Sequence, residues 1–233
     1  MSMISLRNLT QSFPKAGLGR PVLDNITADI PTNRRFGILG GEAAGKTTLM
    51  RLLAGFDKPK NGTIARYARL SFPIAYEGVF KRHLSPQDNL AQFTHAYGQQ
   101  IEEISAFVRS VTDMDSMFET PLAKLPQELQ RRFVFAASYA LPFDCYLIDE
   151  RFAGGPADDD FKPKCTAMLQ ARAASSGIIL ASRRPHIVQR FCDKAAVLEN
   201  GRLTLYDDVA TAIDAFKEVR ARKFEMDHRS ELA

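Results

Sequence analysis

Residues 40–48 read GGEAAGKTT, between the apolar run FGIL at 36–39 and the stretch LMRLLAG at 49–55. Gly40, Gly45, Lys46 and Thr47 meet the pattern G-x-x-x-x-G-K-[ST], with a strand predicted before it and a helix after it, the context this loop requires. Small residues let successive backbone N–H groups curl round an anion, and the helix N-terminus adds its positive dipole end. The candidate nucleotide-binding residues are therefore Gly40, Gly41, Glu42, Ala43, Ala44, Gly45, Lys46, Thr47 and Thr48. Lys46 would reach the outer phosphates, and Thr47 offers a hydroxyl to Mg2+. Glu42 is out of character. A carboxylate facing phosphates at ~6 Å costs about 3 kcal/mol at an effective dielectric near 20, so its side chain is expected to turn away, toward a partner surface.

About a hundred residues further on, FDCYLIDE at 143–150 supplies a mostly apolar strand that ends in Asp149 and Glu150. A carboxylate at a strand end, opposite Thr47, can hold Mg2+ directly or through water, and the next can polarise an attacking water. Asp149 and Thr47 are the candidate metal ligands and Glu150 the candidate catalytic residue, with ATP and Mg2+ as the expected cofactors.

Around these two segments the chain is ordinary in bulk. It has 233 residues, 45% apolar and 25% charged, with a net charge of +4. That length suits one α/β domain with a small appended lobe. The charge is mild and scattered, which argues against a nucleic-acid partner. Cys145, Cys165 and Cys192 are odd in number and widely spaced, so neither a disulfide framework nor a zinc site is expected. The opening MSMISLRNLT lacks a signal-peptide layout, and the longest apolar stretch, FVFAASYALPFDCYLID, is broken by Ser, Pro and Asp. A cytosolic, reduced protein is expected, with any membrane role passing through a partner.

Alternation and turn residues predict strands at ISLRNL, VLDNITADI and RFGILGG, a strand pair over 62–72, and further strands at CYLID, GIILAS, AAVLEN and GRLTLY. Helical spacing is expected from about Lys46 to Ala54, across Gln87 to Leu125, from Gln127 to Tyr139, over FKPKCTAMLQARAA and over VATAIDAFKEV. The expected organisation is one domain over 1–220 with a helical subdomain at about 74–140, then a charged tail over 221–233 whose final HRSELA is expected to fray.

From about Met3 to Phe216 the chain resembles the ATP-binding subunit of an ABC transporter. Besides the two nucleotide segments, RPVLDNITADIP before the loop and FCDKAAVLENGRLTLYDD after the DE strand carry the resemblance. Phe13, in LTQSFPK, stands where the family places an aromatic that stacks on adenine; a core phenylalanine is the other reading. SFPIAYEGVFKRHLSPQDNL, FDCYLIDE, FKPKC and AIDAF are similar to the subgroup that exports capsular polysaccharide. The resemblance implies a mixed α/β P-loop core with an N-terminal antiparallel β lobe and an inserted helical lobe. It also implies ATP hydrolysis that powers a separate polytopic permease, at the inner face of the plasma membrane. The family works as head-to-tail dimers, so a homodimer or a heterodimer with an intact ABC ATPase is implied. No carbohydrate-binding domain of the kind that some O-antigen relatives carry after the ATPase is expected.

Four stretches depart from the family. Where it has LSGGQ, this chain has Leu125-Pro126-Gln127-Glu128-Leu129, without the serine hydroxyl or the glycines. Pro126 lacks an N–H and Glu128 brings negative charge, which suits a self-sufficient helix start and not an anion site. Arg183 falls on the switch histidine; it cannot accept a hydrogen bond, but it can clamp the γ-phosphate or lie on the surface. No glutamine marks the loop that couples to the permease, and Tyr76 or Glu77 falls nearest. RFAGGPADDD after Glu150 carries about two extra residues, and Asp158 to Asp160 read as an acidic first helical turn rather than a metal site. A second reading therefore stands beside the motor: a non-hydrolytic ATP-binding subunit, regulatory or structural, that pairs with an intact ATPase.

Overall fold

A computed structural model describes residues 2–13, 21–149 and 160–231, with side chains up to 222. The chain divides into two compact units. One holds residues 1–70, 144–150 and 175–233; the other holds 71–143 and 151–174.

The first unit contains two sheets. Strands β1 (Met3–Gln11), β2 (Leu23–Pro31) and β4 (Asn61–Arg66) form an antiparallel sheet in the order β2-β1-β4. Ile26, Ala28 and Ile30 of β2 are buried while their neighbours face outward, the period of two that a one-sided sheet requires. Strands β3 (Arg35–Leu39), β5 (Cys145–Asp149), β6 (Gly177–Ser182), β7 (Lys194–Glu199) and β8 (Arg202–Tyr206) form a second sheet, β5-β6-β3-β7-β8. It is parallel except for β8. Here burial is nearly continuous, as expected of strands covered on both faces. One core runs through Ile4, Leu6 and Leu23 of the antiparallel sheet and Phe36, Ile38, Leu147 and Ile179 of the parallel one. Leu49, Met50, Leu52 and Leu53 of helix α1 (Lys46–Ala54) join the same core.

α1 ends on Gly55 in the left-handed region, φ 83°. Arg66 then closes it: its Nε donates to the Leu53 carbonyl at 2.8 Å and its Nη2 to that of Leu52 at 2.6 Å. A cation on the last carbonyls of a helix satisfies orphan acceptors and complements the dipole. An Arg66→Ala variant is expected to lose about 1 kcal/mol, seen as a fall of a few degrees in thermal midpoint.

The second unit is helical: α2 (Pro86–Tyr97), α3 (Ile101–Thr112), α4 (Gln127–Ala140) and α5 (Phe161–Ser175, whose last residue falls in the first unit). Ser85 caps α2, accepting from the Asp88 N–H at 3.1 Å and donating to the Asp88 carboxylate at 2.7 Å. Phe80 is the hub of the aromatic core, with ring centroids 5.1 Å from Phe93, 5.2 Å from Phe133 and 6.0 Å from Phe72.

The first unit also holds α6 (Pro185–Phe191) and α7 (Val209–Glu231). Two expectations are corrected. The strand pair over 62–72 is one strand, β4, followed by a single bridge from Leu70 to Cys145. The closing helix, expected over VATAIDAFKEV, runs on as α7 to Glu231, so the backbone of HRSELA, expected to fray, is helical over 228–231; Val209–Glu231 contains neither glycine nor proline to stop it. Cys145, Cys165 and Cys192 are free and buried, and burial pushes the Cys145 and Cys192 thiols up to about 12. Among the described residues, no helix is long and apolar enough to cross a membrane.

Candidate nucleotide site

Parallel pairing brings three strand ends to one edge. Leu39 is in register with Ser182, and Asp149 with Ala181. The loop after β3, the last residue of β5 and the residues after β6 are therefore neighbours, although they lie far apart in sequence. The N–H of Gly40 donates to the carbonyl of Ser182 at 3.3 Å, which ties the loop to β6.

The loop turns through Ala43 at φ 57° and Gly45 at φ 97°. Gly45 has a second reason to be glycine. A Cβ there would lie 2.9 Å from Val22 Cγ1 and 3.1 Å from the Val22 carbonyl oxygen. α1 starts at Lys46 with no acidic residue in its first turn and no side-chain cap, so its N-terminal N–H groups are not claimed by the cap residue. Lys46 folds back over the loop, its Nζ donating to the carbonyls of Gly40 at 2.7 Å and Gly41 at 2.6 Å. Thr47 Oγ1 donates to Asp149 Oδ2 at 2.7 Å, across 102 residues of sequence. Asp149 is 2% exposed.

Lys46, Thr47 and Asp149 thus come together with Gly40, Gly41, Glu42, Ala43, Ala44, Gly45 and Thr48 on one continuous loop and helix start. Glu42 and Arg183 rim the same loop. The Glu42 side chain is 88% exposed and its Oε2 stands 3.9 Å from Arg183 Nη1. Sequence reasoning turned Glu42 away from phosphate but missed Arg183 as its neighbour; that contact depends on strand register, which no local pattern carries. It also missed Ser182, which is buried, gives its carbonyl to Gly40 and accepts the Arg184 N–H at 3.0 Å on its hydroxyl. Phe13 lies two residues past β1 and is 44% exposed, so it is not a core residue. Glu150, Asp158 and Asp159 lie outside the described residues.

In the helical unit, Pro126 stands at the cap of α4, no side chain caps the helix, and Glu128 sits in the first turn. Arg132 donates to the Glu128 carboxylate at 2.8 Å, one turn along. Gln130 Nε2 donates to the Leu125 carbonyl at 2.8 Å. The first-turn carboxylate is thus held by a cation of its own helix. Tyr76 and Glu77 belong to this unit, Glu77 opening a 3-10 turn at Glu77–Val79.

A parallel sheet whose strand end runs through a glycine loop into a helix, with a hydroxyl and a buried carboxylate meeting behind it, defines a P-loop nucleotide-binding protein. Residues 23–153 match the family described as ABC transporter. The ATP-binding protein BexA of Haemophilus influenzae is 33% identical over 218 residues, 94% of this chain and 100% of that protein. The capsule polysaccharide export ATP-binding protein CtrD of Neisseria meningitidis serogroup B is 32% identical over 217 residues, 93% of this chain and 100% of the relative. The chain belongs to the ABC transporter family. The fold agrees: a solved ATP-binding subunit of an ABC transporter superposes with a TM-score of 0.69 at 17% identity, covering 93% of this chain and 98% of its own. A dimeric ATP-binding cassette bound to ADP and phosphate gives 0.69 at 15% identity, with 86% of this chain and 96% of its own covered.

Proposed function

We propose that this chain is the ATP-binding and hydrolysing subunit of an exporter for capsular or related polysaccharide, held at the inner face of the plasma membrane by a separate polytopic permease. The observation that supports it most directly is the bond from Thr47 to Asp149, which joins the phosphate loop to the end of β5. The loop N–H groups and Lys46 would hold the phosphates, and the exposed Phe13 ring would stack on adenine.

A hydroxyl and a buried carboxylate are hard oxygen donors, and among the described residues no cluster of three or more metal-binding side chains exists. That donor set fits Mg2+, which takes one or two protein oxygens and completes its shell from phosphates and water. Thr47 and Asp149 would hold it, and it would screen the phosphate charges. Glu150 follows Asp149 directly and would orient and deprotonate the attacking water.

The start of α4 favours a second reading. A proline cap, a first-turn glutamate paired to Arg132 and no glycine make a poor anion site. A non-hydrolytic subunit that pairs with an intact ATPase fits that segment. Turnover of the purified protein beside its Glu150→Gln variant, with nucleotide binding measured on both, separates the two. The motor is expected to turn over ATP and to lose about a hundredfold in the variant. Tight binding with equal background turnover in both proteins would leave the non-hydrolytic reading.

A further inference from the structure

We propose that Glu42 is an internal competitor for nucleotide: it and the terminal phosphate of a nucleoside triphosphate share the guanidinium of Arg183, so this exchange sets the preference for triphosphate over diphosphate. The proposal rests on the nucleotide reading above and adds the residue pair that grades it.

Three observations carry it. The first is register: Leu39 opposite Ser182 puts Arg183 beside the first half of the loop, and the Gly40 N–H bonded to the Ser182 carbonyl fixes that relation. The second is the pair itself, Glu42 Oε2 to Arg183 Nη1 at 3.9 Å, with both side chains more than half exposed. An exposed pair at that distance is weakly held and readily exchanged. The third is Lys46. The ammonium that reaches the outer phosphates in such loops lies 2.7 Å from the Gly40 carbonyl and 2.6 Å from that of Gly41, next to Glu42. An outer phosphate held there meets the Glu42 carboxylate as a like charge and Arg183 as an opposite one. Guanidinium prefers phosphate, which offers bidentate geometry and more charge than a single carboxylate. Arg183 then passes from Glu42 to the phosphate, whereas a diphosphate, one group shorter, leaves the pair closer to intact.

The test is equilibrium binding of ATP and of ADP, each with Mg2+, to the full chain and to Glu42→Gln, Arg183→Ala and the double variant, with Lys46→Ala as reference. Circular dichroism and thermal midpoints are recorded for every variant, so that a change in binding is read only from proteins that keep the wild-type fold. Glu42→Gln is expected to tighten ATP about tenfold and ADP about twofold. Arg183→Ala is expected to weaken ATP about tenfold with little effect on ADP. In the Arg183→Ala background, the added Glu42→Gln change is expected to shift both nucleotides alike, since the shared cation is gone. Equal tightening of ATP and ADP by Glu42→Gln, unchanged in that background, would overturn the exchange and leave Glu42 a plain repulsive charge. Wild type that binds ATP while Lys46→Ala does not keeps the nucleotide reading whichever way the rim behaves. Wild type that is folded and binds neither nucleotide would overturn that reading and the exchange with it.

Discussion

Lys46→Ala is expected to lower ATP affinity about a thousandfold while leaving the protein folded. The ammonium is held over the loop by two carbonyls, those of Gly40 and Gly41, so it is already placed where an anion cradled by the loop N–H groups would meet it. A charge-assisted hydrogen bond is worth roughly 1.5–3 kcal/mol, and an ammonium that would give two of them to phosphate oxygens supplies about three decades in binding. Lys46→Arg is expected to recover little. A planar guanidinium is bulkier than a compact ammonium and cannot sit between two carbonyls less than a loop turn apart. Displacement of a fluorescent ATP analogue measures both. Affinity retained within a few-fold would place the phosphates somewhere other than this loop.

The largest expected effect on stability lies elsewhere, at Gly177. It opens β6, donating its N–H to the Asp144 carbonyl at 3.0 Å. A Cβ there would stand 1.8 Å from the Thr32 carbonyl oxygen and 2.6 Å from its carbon. Those are backbone atoms, and they cannot swing aside as a side chain would. Thr32 is itself anchored, its N–H donating to the Ser2 carbonyl at 3.1 Å. Gly177→Ala must therefore push apart the start of β6 and the turn after β2. A loss of about 3 kcal/mol or more is expected, or roughly 10 °C in thermal midpoint for a chain of this size. Gly41→Ala is the control, because a Cβ at Gly41 meets nothing within 4 Å. Thermal unfolding of the two variants side by side decides it; equal midpoints would mean the Thr32 turn yields freely.

What the sequence showed and what it hid divide along physical lines. Elements whose pattern is local were legible: the alternation in Leu23–Pro31, the apolar runs of the parallel strands, and the loop joining FGIL to α1. The stretch after Arg66 misled because its residue types suit a strand while its hydrogen bonds go elsewhere. The Arg69 N–H donates to the Asp144 carboxylate at 2.8 Å, and the guanidinium joins it at 3.0 Å, so a second ladder does not form. At the site, the residues contributed by one continuous loop were legible as a set. The meeting of Thr47 with Asp149 was expected from a carboxylate at a strand end, but the approach of Arg183 to Glu42 follows from which strand lies beside β3. Gly177 looked like any strand start, because only the fold reveals that the Thr32 carbonyl stands over it.

The buried thiols have a practical consequence. Burial pushes the Cys145 and Cys192 thiols up to about 12, so they stay protonated at neutral pH, and both sulfurs are shielded as well. Alkylating reagents therefore have nothing to attack until the chain opens. Cys145 and Cys192 lie in the sheet-bearing unit and Cys165 in the helical one. The native sequence thus carries reporters in both units, and the order in which the three sulfurs become modifiable dates the opening of one unit against the other without any engineered label.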